Sequence, residues 1–335
     1  MSKLSLIIPV YGVEKYIERC AVSVFEQTNK DFEVIFVNDC SKDNSKNILL
    51  SVIKRYKDSP ISVSIIDHEV NKGISATRET GLKAATGEYI LYVDSDDYLA
   101  HQMVQSLITR ANDTNADIVY SDYYELKNGE LIYKTQSLTV TEPLLITASM
   151  LRDEIGWTPW NKIFRKSIAT EHNIHWPANI NVGEDLVVMA KLFTYAKKIE
   201  YVSQALYIYN RDNVNSYINS WGTSSCQQSV KAVEAVNAFF SYEFPNADLI
   251  KSLDKVKLAS RYQMLYTFDK SLYKLVPQTF PETDSQIFTL EYTPFYWKIA
   301  LYLVIKKKTL FATLITRAIF LLQKTKAFVK SYIFI

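Results

Sequence analysis

Apolar and polar positions follow two periods along the first hundred residues. The runs Leu4-Ser5-Leu6-Ile7-Ile8-Pro9-Val10-Tyr11, Phe32-Glu33-Val34-Ile35-Phe36-Val37, Val63-Ser64-Ile65-Ile66-Asp67 and Tyr89-Ile90-Leu91-Tyr92-Val93 read as strands. The first is expected to stop at Pro9, which lacks a donor and fixes φ. Between them the spacing turns helical. Ile17, Ala21, Val24 and Phe25 share a face within 14–27, caps at 41–44 open a helix to about Tyr56, and a third helix covers 74–85, with Gly87 as its C′ residue. The alternation predicts a βαβαβαβ unit with a mostly parallel sheet.

The pattern is looser afterwards. A helix is expected over 100–112, a strand over 117–120, and a hairpin at Asn128-Gly129. Helices follow at 142–151 and 186–196, with a strand-like stretch at 199–210 between the second helix and the tail. Further helical patterns cover 229–240 and 249–274. The run Trp157-Thr158-Pro159-Trp160-Asn161-Lys162-Ile163-Phe164 is aromatic and polar together. It suits either core packing with a turn, or a wall on which a sugar stacks.

Composition adds bounds. With 335 residues, 48% of them hydrophobic, the chain can build one large domain and an appendage, or two domains. The expected division is a domain over 1–216, with halves at 1–99 and 100–216, and a helical region over 217–335. Three scattered cysteines and no CxxC argue against a disulfide framework or a zinc site, and for a reducing cytoplasmic setting. The four histidines show no metal-ligand spacing. The apolar run at 4–9 is too short for a secretory leader. Net charge is only +2, so no nucleic-acid partner is implied. That figure hides an asymmetry. From Thr289 onward there are eight Lys or Arg and one acid, a net of +7, which leaves about −5 for the rest. Within 292–335 the apolar stretches are interrupted by Lys306-Lys307-Lys308 and Arg317, too short to span a bilayer. They fit a basic amphipathic helix lying on the anionic inner face of a membrane, or one packed on the domain or making a dimer contact.

Three strand ends carry acids: Asp39, Asp67, and Asp94-Ser95-Asp96-Asp97. Open α/β sheets gather ligands at such ends. Burying several carboxylates together is costly unless a cation joins them. Asp94 and Asp96, two apart on extended chain, point the same way and suit a hard divalent ion, Mn2+ or Mg2+, that keeps places for water and phosphate. The plainer alternative is an acidic turn with a helix cap. A nucleoside diphosphate fits this crevice. Asp39 can accept from a uracil imide, and Arg78 can reach a base or a phosphate. Neither a Gly-x-Gly-x-x-Gly loop nor a Gly-Lys-Ser/Thr loop is present. Asp185, after Gly183-Glu184 at a helix start, is either a cap or a general base for a hydroxyl.

Ile8-Pro9-Val10-Tyr11, Asn38-Asp39-Cys40-Ser41-Lys42-Asp43, Asn71-Lys72-Gly73 with Arg78, and Val93-Asp94-Ser95-Asp96-Asp97 together resemble the successive motifs of family 2 glycosyltransferases. The resemblance runs from about residue 4 to 216, departs at Cys40, where Gly is common, and implies the GT-A fold. It implies that Pro9, Tyr11, Asp39, Asp67, Asn71 and Arg78 line the nucleotide, with Asp39 on uracil. It implies that Asp94 contacts ribose or metal and that Asp96 binds Mn2+ or Mg2+ bridging the diphosphate. Asp185 matches the family's base, with Glu184 orienting it. In similar proteins the loop of Arg211 to Ser216 closes over the diphosphate. Trp160, Asn161 and Lys162 are acceptor-side candidates.

The expected activity is inverting, metal-dependent transfer from a UDP-sugar to a hydroxyl of a glycan or lipid-linked acceptor. The rivals are a nucleotide-sugar-binding scaffold without turnover and a phosphatase-type hydrolase using the Asp-x-Asp pair. Such a pair normally follows the first strand of a phosphatase domain, whereas three strands precede it here. A nucleotidyltransferase would want a Gly-rich basic loop where Tyr11-Gly12-Val13-Glu14 stands.

Overall fold

A computed structural model describes residues 3–213, 222–267, 269–289 and 293–324. The chain forms two compact units, 1–150 with 154–216, and 151–153 with 217–335.

The first unit begins with β1 (Leu4–Val10), α1 (Ile17–Phe25), β2 (Phe32–Asn38), α2 (Ser45–Arg55), β3 (Ser62–Asp67), α3 (Ile74–Ala84) and β4 (Tyr89–Tyr92). These four strands are parallel, in the order β3-β2-β1-β4. β1 and β4 are buried on both faces, which is why they read as unbroken apolar runs. There follow β5 (Tyr98–Leu99), α4 (Met103–Thr114), β6 (Ile118–Lys127), β7 (Glu130–Lys134), α5 (Pro143–Leu151), β8 (Lys162–Arg165), α6 (Lys166–Glu171), α7 (Glu184–Tyr195) and β9 (Ile199–Asn210). The sheet continues β4-β8-β6-β9-β5, with β7 paired to β6. β8 enters antiparallel between β4 and β6, so the sheet is mixed from there on. Asn128 (φ 53) and Gly129 (φ 79) make the β6–β7 turn, as expected of that dipeptide.

Two expectations are corrected. β1 runs through Pro9 to Val10. Val93 N donates to Ile7 O, so odd-numbered residues of β1 face β4, which has already ended opposite Pro9, and the missing donor costs nothing. Gly87 is not the C′ residue of α3, whose cap is Ala85 in an extended conformation. Gly87 instead allows close approach, since a Cβ there would fall 2.6 Å from Ser5 N on β1. Gly81 serves likewise in α3, where a Cβ would lie 2.2 Å from Ile7 Cγ2.

The second unit comprises α8 (Thr223–Ala238), α9 (Ala247–Ser252), α10 (Asp254–Tyr266), α11 (Lys270–Leu275), α12 (Phe295–Ile305) and α13 (Thr309–Lys324). Leu258, Leu265, Trp297, Leu301, Val304 and Ala312 belong to its core. The fully buried Arg261 ties α10 to the short 3-10 helix Pro281–Gln286 beyond α11, through Thr283 Oγ1 at 2.8 Å and Asp284 at 2.7 Å. No helix among the described residues is long and apolar enough to cross a membrane.

Candidate active site

Parallel register sets Val10 beside Asn38 and Asn38 beside Asp67, so the strand ends of the first unit form one row. Asp39 follows β2 and is buried, 3% exposed. Its Oδ1 accepts from Lys72 N at 2.8 Å and lies 2.7 Å from His68 Nδ1, while Oδ2 accepts from Gly73 N at 2.9 Å. Asp39 therefore clamps the loop between β3 and α3. Its partner His68, whose Nε2 lies 3.0 Å from Thr80 Oγ1 on α3, escaped the sequence reading. Its place directly after a strand-end acid was the available signal. Asn71 Nδ2 donates to Asp39 O at 3.4 Å. Asp67 is exposed and accepts from Asn38 Nδ2 at 2.8 Å and Lys46 Nζ at 2.7 Å. Pro9 is buried within β1, and Tyr11 just beyond it is 54% exposed.

After β4, Asp97 N donates to Asp94 O at 3.0 Å and turns the chain. The three acids then diverge in role. Asp97 is fully buried and accepts from Tyr207 Oη at 2.6 Å and Asn210 N at 2.7 Å, which joins the turn to β9. Asp94 and Asp96 remain partly exposed. Asp96 accepts from Asn213 Nδ2 at 2.7 Å. Burial, then the charge of Asp94, raises Asp96 above the usual carboxylate range. Burial, then Asp96, raises Asp97 further.

Arg78 was expected to face nucleotide. It is instead 4% exposed and spans two acids, donating through Nη2 to Asp94 Oδ1 at 2.9 Å and through Nη1 to Glu184 Oε1 at 2.7 Å. Its guanidinium lies 4.8 Å from the centre of the Trp176 ring. Burial disfavours its charge, but Asp94 and Glu184 outweigh that and keep it protonated. Glu184 opens α7 after Gly183 (φ 81), and Asp185 follows. One guanidinium thus gathers Asp94 and the first turn of α7, 106 residues after Arg78. Burial, then Asp185, pushes Glu184 up to about 7. Burial raises Asp185 as well, against the pull of Arg78.

The acceptor-side expectations are corrected. Trp160 is 5% exposed and stacks on Tyr207 at 4.4 Å and Tyr209 at 5.4 Å, so its faces are covered and no sugar can lie on them. Asn161 is fully buried and donates to Ser121 O at 2.7 Å. Lys162, the first residue of β8, is 1% exposed and donates to Gly156 O, Thr158 O and Asn161 Oδ1. Burial pushes it down to about 7. The motif builds the sheet and shapes the 156–161 loop. Arg211 Nε lies 3.5 Å from Glu125, and its amide donates to Leu126 O, so in this state it belongs to the end of β6. Ser216 lies outside the described residues.

No three His, Cys, Asp or Glu converge among the described residues. Asp94 and Asp96 are thus the pair that would hold a divalent ion. Two hard oxygen donors, crowded enough to raise Asp96, fit a cation that takes water and diphosphate oxygens for its other positions.

Three kinds of likeness accompany this geometry. A family model described as Glycosyl transferase family 2 matches residues 5–174. EpsJ of Bacillus subtilis, an uncharacterized glycosyltransferase, is 34% identical over 219 residues, 64% of this chain and 62% of EpsJ. TarS of Staphylococcus aureus, a poly(ribitol-phosphate) beta-N-acetylglucosaminyltransferase, is 25% identical over 274 residues, 81% of this chain and 45% of TarS. The match thus spans under two thirds of either relative. The fold is that of the crystal structure of TarS 1–349 in complex with UDP, with a TM-score of 0.60 and 21% identity, over 97% of this chain and 93% of that one. The mannosyltransferase PcManGT of Pyrobaculum calidifontis, in complex with GDP-Man and Mn2+, aligns at a TM-score of 0.51 and 14% identity, over 97% of this chain and 88% of that one.

Proposed function

The chain belongs to glycosyl transferase family 2, and we propose that it moves a sugar from a UDP-sugar to a hydroxyl of a cell-surface glycan, inverting the anomeric carbon. The observation that carries this reading is the Asp94–Arg78–Glu184 bridge, because it puts the diphosphate end of the crevice and a helix-start carboxylate within one side chain's span. Asp185 is the base. It takes the acceptor proton as the acceptor oxygen bonds to the anomeric carbon and the bond from that carbon to UDP breaks. A single displacement turns an α-linked donor into a β-linked product. That agrees with the beta linkage in the name of TarS, a relative also crystallised with UDP-GlcNAc. The β3–α3 loop, clamped by Asp39, and the exposed Tyr11 form the nucleotide side. Asp94 and Asp96 would hold Mn2+ or Mg2+, which supplies charge neutralisation to departing UDP.

The test is a panel of UDP-sugars with Mn2+, read as UDP release dependent on acceptor. Asp185→Asn is expected to lose roughly 10²-fold or more in rate while still binding UDP. Unchanged turnover in that variant would place the base elsewhere; UDP binding without release in the wild type would leave a binding scaffold, and release without acceptor a hydrolase, as the better account.

We further propose that the second unit rests on the anionic inner face of a membrane. Phe295, Lys298 and Tyr302 follow one another along one side of α12, with Lys306 at its cap, and Leu310, Phe311 and Leu314 stand exposed on α13 beside Arg317. Cations interleaved with exposed aromatic and aliphatic side chains match an anionic bilayer in both charge and polarity.

A further inference from the structure

α3 grips the segment that leads into Asp185. Ser75, Arg78 and Glu79 lie on one face, at i, i+3 and i+4. Ser75 N donates to Asn181 Oδ1 at 3.2 Å, and Ser75 Oγ donates to Pro177 O at 2.8 Å. Arg78 holds Glu184 at 2.7 Å. Glu79 accepts from Trp176 N at 3.1 Å and lies 2.9 Å from His175 Nδ1. Residues 174–183 have neither helix nor strand of their own, so these contacts fix their course.

The start of α3 belongs to the nucleotide side. Its cap residue is Gly73, which has no side chain to satisfy the free amides of the first turn. Asn181 does that, accepting from the second helical residue as an N-cap side chain would, from 106 residues away. Asn181 also packs directly on Gly73, where a Cβ would fall 2.5 Å from Asn181 Oδ1 and where φ is +85°. The amide of this same glycine is bound by Asp39 at 2.9 Å.

We infer that Asn181 is a positioning residue that couples occupancy of the nucleotide site at Asp39 to the placement of Asp185. The inference rests on the UDP reading above. A base that shares the Asp39 carboxylate redistributes its bonds to the amides of Lys72 and Gly73. Movement of Gly73 meets Asn181 by contact, and only Val182 and the left-handed Gly183 separate Asn181 from α7. Asp185 stands one residue into that helix. The transferase would thereby align its base only once donor is in place.

Hydrogen exchange on the full chain, with and without UDP and Mn2+, tests this apart from catalysis. UDP is expected to slow exchange at 71–76 and also at 174–186. Asn181→Ala should keep the first effect, lose the second, and lower kcat roughly 10-fold or more with UDP affinity little changed. Asn181→Asp, which keeps an oxygen for Ser75 N at a helix start, should restore both. Protection confined to 71–76 in the wild type, or unaltered at 174–186 in Asn181→Ala, overturns the coupling. No protection at either segment in the wild type overturns the UDP reading and the coupling together.

Discussion

Glu184 sits between a cation that stabilises its charge and a neighbour that opposes it. Burial and Asp185 prevail over Arg78, and its pKa rises to about 7. The two carboxylates of the first turn of α7 therefore titrate as a pair, and both ionise above the usual carboxylate range. On the proposed mechanism the base must be ionised to accept a proton, so Asp185 would set the acid limb of kcat/KM. Below about 7 Glu184 already holds its proton, so Glu184→Gln should leave the acid limb of Asp185 in place and remove only the second ionisation near 7. A shift of that limb to lower pH would show instead that Glu184 is charged beside Asp185 where the base ionises.

The same raised values fix the sign of the pH dependence of stability. Between the ordinary carboxylate pKa and about 7, the folded chain keeps a proton on Glu184 that the unfolded chain has lost. That contribution is full below the unfolded value and is lost as pH rises through about 7. Asp96, Asp97 and Asp185, also raised, act in the same direction. A divalent ion on Asp94 and Asp96 needs them ionised, so Mn2+ should raise Tm more at about pH 8 than at about pH 5.5. Asp96→Asn should abolish that difference. Equal shifts at both pH values would argue against a metal on these two acids. At this scale the sequence spoke unevenly. The acids after β4 announced themselves, because a strand ending in Asp-Ser-Asp-Asp is costly without a purpose. The partner of Arg78 did not, because Glu184 reaches it only through the tertiary fold.

α3 is the element on which the site turns, and two glycines decide how closely it sits. In an isolated helix, replacing Gly81 by Ala would stabilise by about 1 kcal/mol. Here the added Cβ would meet Ile7 Cγ2 at 2.2 Å, in the core of the sheet. Overpacking of this kind costs roughly 1–3 kcal/mol, so Gly81→Ala should destabilise on balance, as read by chemical denaturation. Combining it with Ile7→Ala should cost less than the sum of the two single changes, since the second makes room for the first. Strict additivity would mean that α3 moves away without resistance. The sequence predicted α3 and its neighbours from period alone, to within a residue or two. It did not reveal β8, because Lys162 and Arg165 leave a four-residue strand only two apolar positions. Only the fold shows that three carbonyl groups await that ammonium. It likewise misplaced the end of β1, since local sequence says nothing about which neighbour a proline faces.

In the whole chain, charge and apolar exposure concentrate at one end. The last 47 residues carry about +7 and the remainder about −5. The sequence showed this amphipathic tail but left its apolar side open between a membrane, the protein's own core and a dimer contact. α13 has a buried side and an exposed one. Ala312, Thr316 and Ile319 are buried within the second unit, and Leu310, Phe311, Leu314 and Arg317 face outward. Leu310 is 70% exposed, Phe311 59% and Leu314 56%, so none of the three is covered by the described chain. Sinking these side chains into a headgroup layer would yield about 1.5–3 kcal/mol each at most. Each cation near an anionic surface adds about 1 kcal/mol, so neither contribution alone anchors the protein firmly. Three outcomes follow for vesicle co-sedimentation of the full chain. Binding should require anionic lipid and weaken with salt. Leu310→Ser with Phe311→Ser should release the protein without lowering its Tm, because both residues stand outside the core. Replacing Lys306, Lys307 and Lys308 by Gln should weaken binding and flatten its salt dependence. A wild-type chain that ignores such vesicles and self-associates through this face, so that the serine variants become monomeric, would assign the surface to a second copy instead.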